Sequence, residues 1–239
     1  MNPDFLIGCS GYYYPAWKNK FYPKGLAAKN WLAYYSSVFN SVELNSTFYR
    51  TPKLVDLHKY AQITPVHFKF SVKMSKHITH INKLKESKQN ILNFQDIIND
   101  GLSNKLIYFL FQFPPSFQYS EENLERITYN IPHCPHNVIE FRHISWWNES
   151  VRKALTDAKL TFCNVDYPGL KTAFMLTSSV FYYRLHGNPV LFKSSYNEEI
   201  LENFYKHFPK ACDHYAVYFN NTYYEAGYTN AAQLMKMVY

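Results

Sequence analysis

With 239 residues the chain is long for one small domain and, at 47% hydrophobic residues, able to bury a large core. A net charge of +7 turns it toward anionic partners, yet its lysines are dispersed and no basic tail exists, so charge alone does not make it a nucleic-acid binder. Cys9, Cys134, Cys163 and Cys212 lie far apart without CxxC or paired Cys/His spacing, which argues against a disulfide framework or structural zinc and suits a reducing cytoplasm.

Eight short apolar runs, rich in aromatic or β-branched residues, read as strands: Phe5 to Cys9, Ser41 to Leu44, Phe68 to Val72, Leu106 to Phe111, Val138 to Phe141, Thr161 to Val165, Val180 to Leu185 and Tyr215 to Phe219. Helical spacing fills most intervals. Trp31, Tyr34, Tyr35, Val38 and Phe39 form one apolar face, and Ile91, Phe94, Ile97 and Ile98 another. Thr51-Pro52, Ser120-Glu121-Glu122, Asn148-Glu149 and Asn197-Glu198-Glu199 carry helix-start signals. The interval Tyr167 to Ser179 is too short and irregular for a helix. Strand–helix alternation predicts an α/β fold, one TIM-type (β/α) barrel of eight parallel strands spanning 1–239 as a single domain. An open doubly wound sheet is the competing architecture. Met1-Asn2-Pro3-Asp4 lacks a basic segment followed by an apolar run, and no stretch approaches membrane-spanning length, so a cytoplasmic location without membrane contact is expected.

Side chains on a barrel strand alternate between the interior and the surrounding helices, and chemistry sits at the carboxyl ends. That alternation predicts inward Glu43 and Asn45 on the second strand, Lys69, Ser71 and Lys73 on the third, and Gln112 at the end of the fourth. It pairs Glu140 with Arg142, Asn164 with Asp166 and Arg184 with His186, and ends the eighth strand in Asn220-Asn221. Isolated buried charges are costly, so these groups should be paired or solvated. A purely structural salt-bridge network, such as Glu43 with Lys73 and Glu140 with Arg184, is the bland alternative.

The same residues carry a resemblance. Gly8-Cys9-Ser10-Gly11 with Tyr14 and Trp17, the run Val42 to Arg50, and Phe70-Ser71-Val72-Lys73 before Ile78-Thr79-His80 belong to it. So do Phe111 to Phe117, Glu140 to Trp146, Tyr183 to Gly187 and Tyr218 to Thr222. Together they resemble the YecE-like family, known as domain of unknown function 72, across nearly the whole chain. Cys9 and Tyr12 depart from the pattern, where Thr and Trp are expected. The resemblance implies a TIM-type barrel and no particular activity.

The residue types favour an acid–base enzyme (a hydrolase, lyase or isomerase) acting on an anionic, phosphorylated or nucleotide-like compound. Arg184, Lys73 and Arg142 supply charge, and Asn220, Asn221, Gln112 and Asn45 supply amides, with the anion expected near Arg184, His186 and Asn220-Asn221. Tyr14 and Trp17 complete the expected binding set. Glu43 or Glu140 would be the general base, His186 a proton carrier, and Asp166 a further catalytic carboxylate. Ser10 facing His186 is a weaker nucleophile hypothesis, because the glycine run around it reads as an ordinary turn. No cofactor is expected; a nuclease-like divalent-metal site built on Glu43, Glu140, Asp166 and His186 is opposed by the adjoining cations. A glycosidase pair is opposed by the separation of strands two and five. The rival class is a non-catalytic anion or nucleic-acid binder using Tyr12, Tyr14, Trp17, Trp146 and Trp147 as stacking platforms.

Overall fold

Residues 4–170 and 173–239 are described by a computed structural model. The apolar runs form eight strands: β1 (Asp4–Cys9), β2 (Ser41–Leu44), β3 (Lys69–Lys73), β4 (Leu106–Gln112), β5 (Asn137–Glu140), β6 (Thr161–Asp166), β7 (Val180–Leu185) and β8 (His214–Phe219). They form one sheet in the order β1-β8-β7-β6-β5-β4-β3-β2, with every ladder parallel. This is the expected parallel barrel, nearly closed, with β1 and β2 at the two ends of the ladder order, rather than the open doubly wound sheet.

Helices α1 (Trp31–Val38), α2 (Leu54–Ile63), α3 (Lys88–Leu102), α4 (Glu121–Asn130), α5 (Glu149–Asp157), α6 (Glu198–Lys206) and α7 (Ala226–Val238) surround it. Ser120, Asn148 and Asn197 cap α4, α5 and α6 by accepting the N–H three residues on, which satisfies an otherwise unpaired first-turn donor. The Thr51-Pro52 start is displaced: α2 begins at Leu54 behind Lys53, with no side-chain cap. Between β6 and β7 the described residues hold no helix. Side chains tie the returning segment to β6 instead, Thr177 Oγ1 accepting from Phe162 N–H at 2.8 Å and Asn164 bonding both backbone groups of Met175.

Alternation divides the apolar residues into two compartments. Leu6, Tyr108, Leu110, Val138, Cys163, Val165, Tyr182, Ala216 and Tyr218 fill the barrel, while Ile7, Val42, Phe70, Phe111, Ile139, Phe162 and Phe219 pack against the helices.

Between β1 and β2 the barrel is joined by side chains. The Asn40 amide accepts from Ile7 N–H at 2.9 Å and donates to Phe5 C=O at 2.7 Å. The Tyr35 hydroxyl accepts from Cys9 N–H at 2.7 Å and donates to Ser41 C=O at 3.1 Å. Gly8 permits the approach, since a Cβ there would stand 1.9 Å from the Ser41 carbonyl oxygen.

Candidate functional site

The polar interior is built in layers toward the carboxyl ends of the strands. Lowest, the Tyr218 hydroxyl lies between Ser41 Oγ at 2.5 Å and Ser71 Oγ at 2.7 Å. Above it, Glu43 is fully buried and accepts from Ser10 Oγ at 2.7 Å, Tyr182 OH at 2.7 Å and the Arg184 guanidinium. Arg184, also fully buried, reaches across to Glu140 with its Nη1 at 2.6 Å from Oε2. One guanidinium thus joins two carboxylates from β2 and β5, and the desolvation of each charge is offset by the others.

Arg142 adds a second cation to Glu140, Nε to Oε1 at 2.5 Å. Its guanidinium lies over the Tyr167 ring, 4.3 Å from the centroid, a favourable cation–π placement. Burial alone would raise the Glu140 carboxyl; Arg142, Arg184 and Lys73 outweigh it and hold it below the usual carboxylate range. His186 Nε2 faces Arg142 Nη2 at 2.7 Å and Arg184 Nη1 at 3.2 Å. Guanidinium groups only donate, so Nε2 must accept and the neutral ring carries its proton on Nδ1. Burial and the neighbouring cations push the His186 pKa well down, and its buried Nδ1 has no hydrogen-bond partner among the described residues.

Lys73, at the end of β3, stands apart from this network. Its Nζ donates to Gln112 Oε1 at 2.8 Å and lies 4.3 Å from the Phe48 ring centroid, with no carboxylate in ion-pair range among the described residues. Burial first, then Arg184 and Arg142, draw its pKa down to about 7, against the opposing pull of Glu140 and Glu43. Gln112 Nε2 donates to Phe113 C=O at 2.8 Å, which fixes the amide with Oε1 toward the lysine. His80 stands beside it on a short π-helical turn, His77–Ile81, and is itself pushed down to about 4 by burial and by Lys73 and Lys76.

Glu43, Lys73, Gln112, Glu140, Arg142, Arg184 and His186 therefore gather at one end of the barrel. Asn45 joins them through its Nδ2 contact with Ser10 C=O at 3.3 Å, and Tyr14 donates to the same carbonyl at 2.5 Å. Asn220, the residue after β8, is half-buried, its backbone N–H on Leu185 C=O at 2.7 Å.

Other expected placements are corrected. Cys163 and Val165, not Asn164 and Asp166, face the interior from β6. Asn164 is occupied by Met175, and Asp166 by Tyr196 OH at 2.6 Å and Asn188 Nδ2 at 3.0 Å. Asp166 lines a cavity of about 650 Å³ outside the barrel, with Phe174, Tyr183 and Phe204. Asn221 turns to the helix layer, bonding Ser194 C=O and Asn230. Trp17 is buried with its indole N–H on Tyr224 C=O. It is no binding platform, and neither is buried Trp146, whose ring lies flat on Phe141 at 4.0 Å. Tyr12 is packed against Tyr35 and Tyr60.

Ser10 Oγ is committed to Glu43 and Arg184 rather than to His186. His186, its pKa pushed well down, keeps a buried Nδ1 without a partner among the described residues. Glu43 pairs with Arg184 instead of Lys73, while the expected Glu140–Arg184 pair forms. Among the described residues no three His, Cys, Asp or Glu side chains group as metal ligands. None of the described helices is long and apolar enough to cross a membrane. Tyr182 and Tyr218, not singled out by the sequence pattern, share the parity of Arg184 and Asn220, which is the signal that could have found them.

Known proteins share this architecture. A DUF72 family protein from Thermotoga maritima MSB8 superposes with a TM-score of 0.88 at 30% identity, over 98% of this chain and 99% of that one. Another from Enterococcus faecalis V583 gives a TM-score of 0.80 at 19% identity, over 99% and 98%, a likeness of fold. The UPF0759 protein YunF of Bacillus subtilis (strain 168) is 33% identical over 138 residues, covering 53% of this chain and 48% of that protein. The chain thus matches about half the length of that curated relative. The family described as "Protein of unknown function DUF72" matches residues 6–239, and the chain belongs to it.

Proposed function

We propose that the protein is an acid–base enzyme acting on a small anionic compound held at the carboxyl ends of the strands. The observation that carries this reading is the pairing pattern of the three cations. Arg184 is shared between Glu43 and Glu140, so two arginines and two glutamates cancel in formal charge. Among the described residues Lys73 remains without a carboxylate partner, and Arg142, its side chain buried with Nε on Glu140 and Nη2 on His186, leaves its Nη1 without a hydrogen bond at the same end of the barrel. A carboxylate or phosphate placed between Lys73 and Arg142 would neutralise the surplus. The anion is thereby expected at Lys73 and Arg142, shifted from the Arg184 and Asn220-Asn221 position suggested by sequence. Lys73, drawn to about 7, can give or take a proton near neutral pH, which is the property a general acid–base group needs. No cofactor enters this reading.

Phosphate, nucleotides and short oligonucleotides should be titrated calorimetrically against wild type and Arg142→Ala. Binding of phosphate or a nucleotide, weakened by roughly tenfold or more in the variant as expected for loss of a charge-assisted contact of about 1.5–3 kcal/mol, supports the reading. No binding, or equal affinity in the variant, removes its main support.

A nucleic-acid-binding reading stands second, favoured by exposed Tyr13, Tyr49, Phe192, Tyr223 and Tyr224 on loops that follow β1, β2, β7 and β8. Oligonucleotide binding that falls steeply with salt, without turnover of any small compound, would favour it.

A further inference from the structure

Lys73 differs from the other charged groups of the site in having a neutral partner. Gln112 Oε1, fixed in orientation by the Phe113 carbonyl, takes one of its N–H bonds. The other positions on the nitrogen have no protein acceptor among the described residues, and the Phe48 ring shields one side of the amine. Nothing in this arrangement requires the ammonium form. An ion-paired lysine would be held charged; this one is poised to present a lone pair from the inward face of a barrel strand. Arg142 ends the neighbouring β5 side of the same barrel end, its Nε on Glu140 and its Nη2 on His186 Nε2, with Nη1 unbonded among the described residues. The arrangement combines an available amine with donors suited to an anionic group.

We infer that Lys73 is a nucleophilic amine that forms an iminium with a small aldehyde or ketone bearing a carboxylate or phosphate, the anionic end resting on Arg142. This rests on the anionic-ligand reading above and names its substrate class. The neutral amine adds to the carbonyl carbon, forming the C–N bond. Its surplus proton passes to the carbonyl oxygen to give a carbinolamine. A further proton on that oxygen lets it leave as water while the nitrogen lone pair forms C=N. One proton is consumed and one water released, leaving a cation on the substrate that can withdraw electrons from the adjacent carbon. The depressed pKa of Lys73, about 7, supplies the neutral amine near physiological pH.

Reductive trapping tests the inference. The full chain is incubated with pyruvate or, separately, dihydroxyacetone phosphate, with acetone as the uncharged control. Sodium cyanoborohydride then delivers hydride to any iminium and fixes it as a secondary amine, read by intact mass and peptide mapping. The expected result is an adduct on Lys73 with at least one anionic carbonyl, its yield reduced in Arg142→Ala and lost in Lys73→Met and Lys73→Arg. Acetone should leave Lys73 unlabelled, and labelling by the anionic probe should be half-maximal near pH 7. The pyruvate and dihydroxyacetone phosphate arms separate a carboxylate from a phosphate substrate. Mapping on the wild-type chain decides the site even where a variant folds poorly. No adduct, or one on another lysine, overturns the inference. If phosphate or nucleotide still binds in an Arg142-dependent manner, the anionic-ligand reading survives that failure; if neither is seen, both fall.

Discussion

Arg142 and Arg184 balance Glu43 and Glu140 in formal charge, so the protonation of Lys73 sets the sign of the barrel mouth. Its pKa falls from the usual 10.5 to about 7, which links it to stability. Below about pH 7 the lysine is charged in both folded and unfolded chains, and the folded one bears the full desolvation and repulsion. Between about 7 and 10.5 the unfolded chain holds more protons, so the contribution of Lys73 to stability rises with pH. Lys73→Met keeps the stem without the charge. It should stabilise the fold near pH 6 by roughly 1–3 kcal/mol, after allowance for residual solvent screening. That gain should shrink toward pH 10 in urea unfolding series. Arg184, Arg142, Glu140, Glu43 and His80 all act on this lysine or respond to it, so a gain that persists unchanged to high pH would place the effect in packing instead.

At the scale of the element, β6 separates supporting polar groups from those facing the mouth. Asn164 and Asp166 face the helix layer: Asn164 pairs with Met175 of the returning segment, and Asp166 secures the loop after β7 through Asn188 and Tyr196. Asp166→Asn should cost on the order of 1 kcal/mol by weakening charge-assisted bonds and leave phosphate affinity unchanged. Chemical denaturation and calorimetry measure the two effects separately, and a loss of affinity at full stability would return Asp166 to the site. Most of the other strands are legible in the sequence because hydrophobic alternation and polar termination agree. Phe68, Phe70 and Val72 leave little choice about which way Lys69, Ser71 and Lys73 should point. In β6 the rule that polar means inward fails. Cys163 and Val165 are small enough to pack inside the barrel, while the outer face meets a non-helical return segment whose backbone needs partners. Trp17 misleads for a related reason, since an indole near a glycine-rich loop looks like a platform until its N–H is seen to cap Tyr224. The pairing of Glu43 with Arg184 lies beyond sequence reasoning. Parity supplies the face of a side chain but not how far a long guanidinium reaches across the interior.

Across the whole molecule, the seam between β1 and β2 distinguishes this barrel from a uniformly laddered one. Backbone ladders join the other neighbouring strands, whereas Asn40 and Tyr35 side chains join these two. A side-chain clasp has rotamers of its own and can release without breaking a row of cooperative backbone bonds. The barrel is thus expected to breathe along this line before any other, with Ile7 and Cys9 amides exchanging with solvent through local opening. Tyr35→Phe removes one clasp and leaves the Cys9 N–H and Ser41 C=O without their bridge, at a cost of about 1–3 kcal/mol. Hydrogen-exchange mass spectrometry should show faster exchange concentrated in β1, with the β7–β8 ladder unaffected; uniform acceleration would mean the clasp acts on global stability instead. Ser10 and Glu43 are hydrogen-bonded across the same line, one from the end of β1 and the other on β2. The line of easiest opening therefore reaches the carboxylate that holds Arg184, giving the charged interior a route for exchange with water.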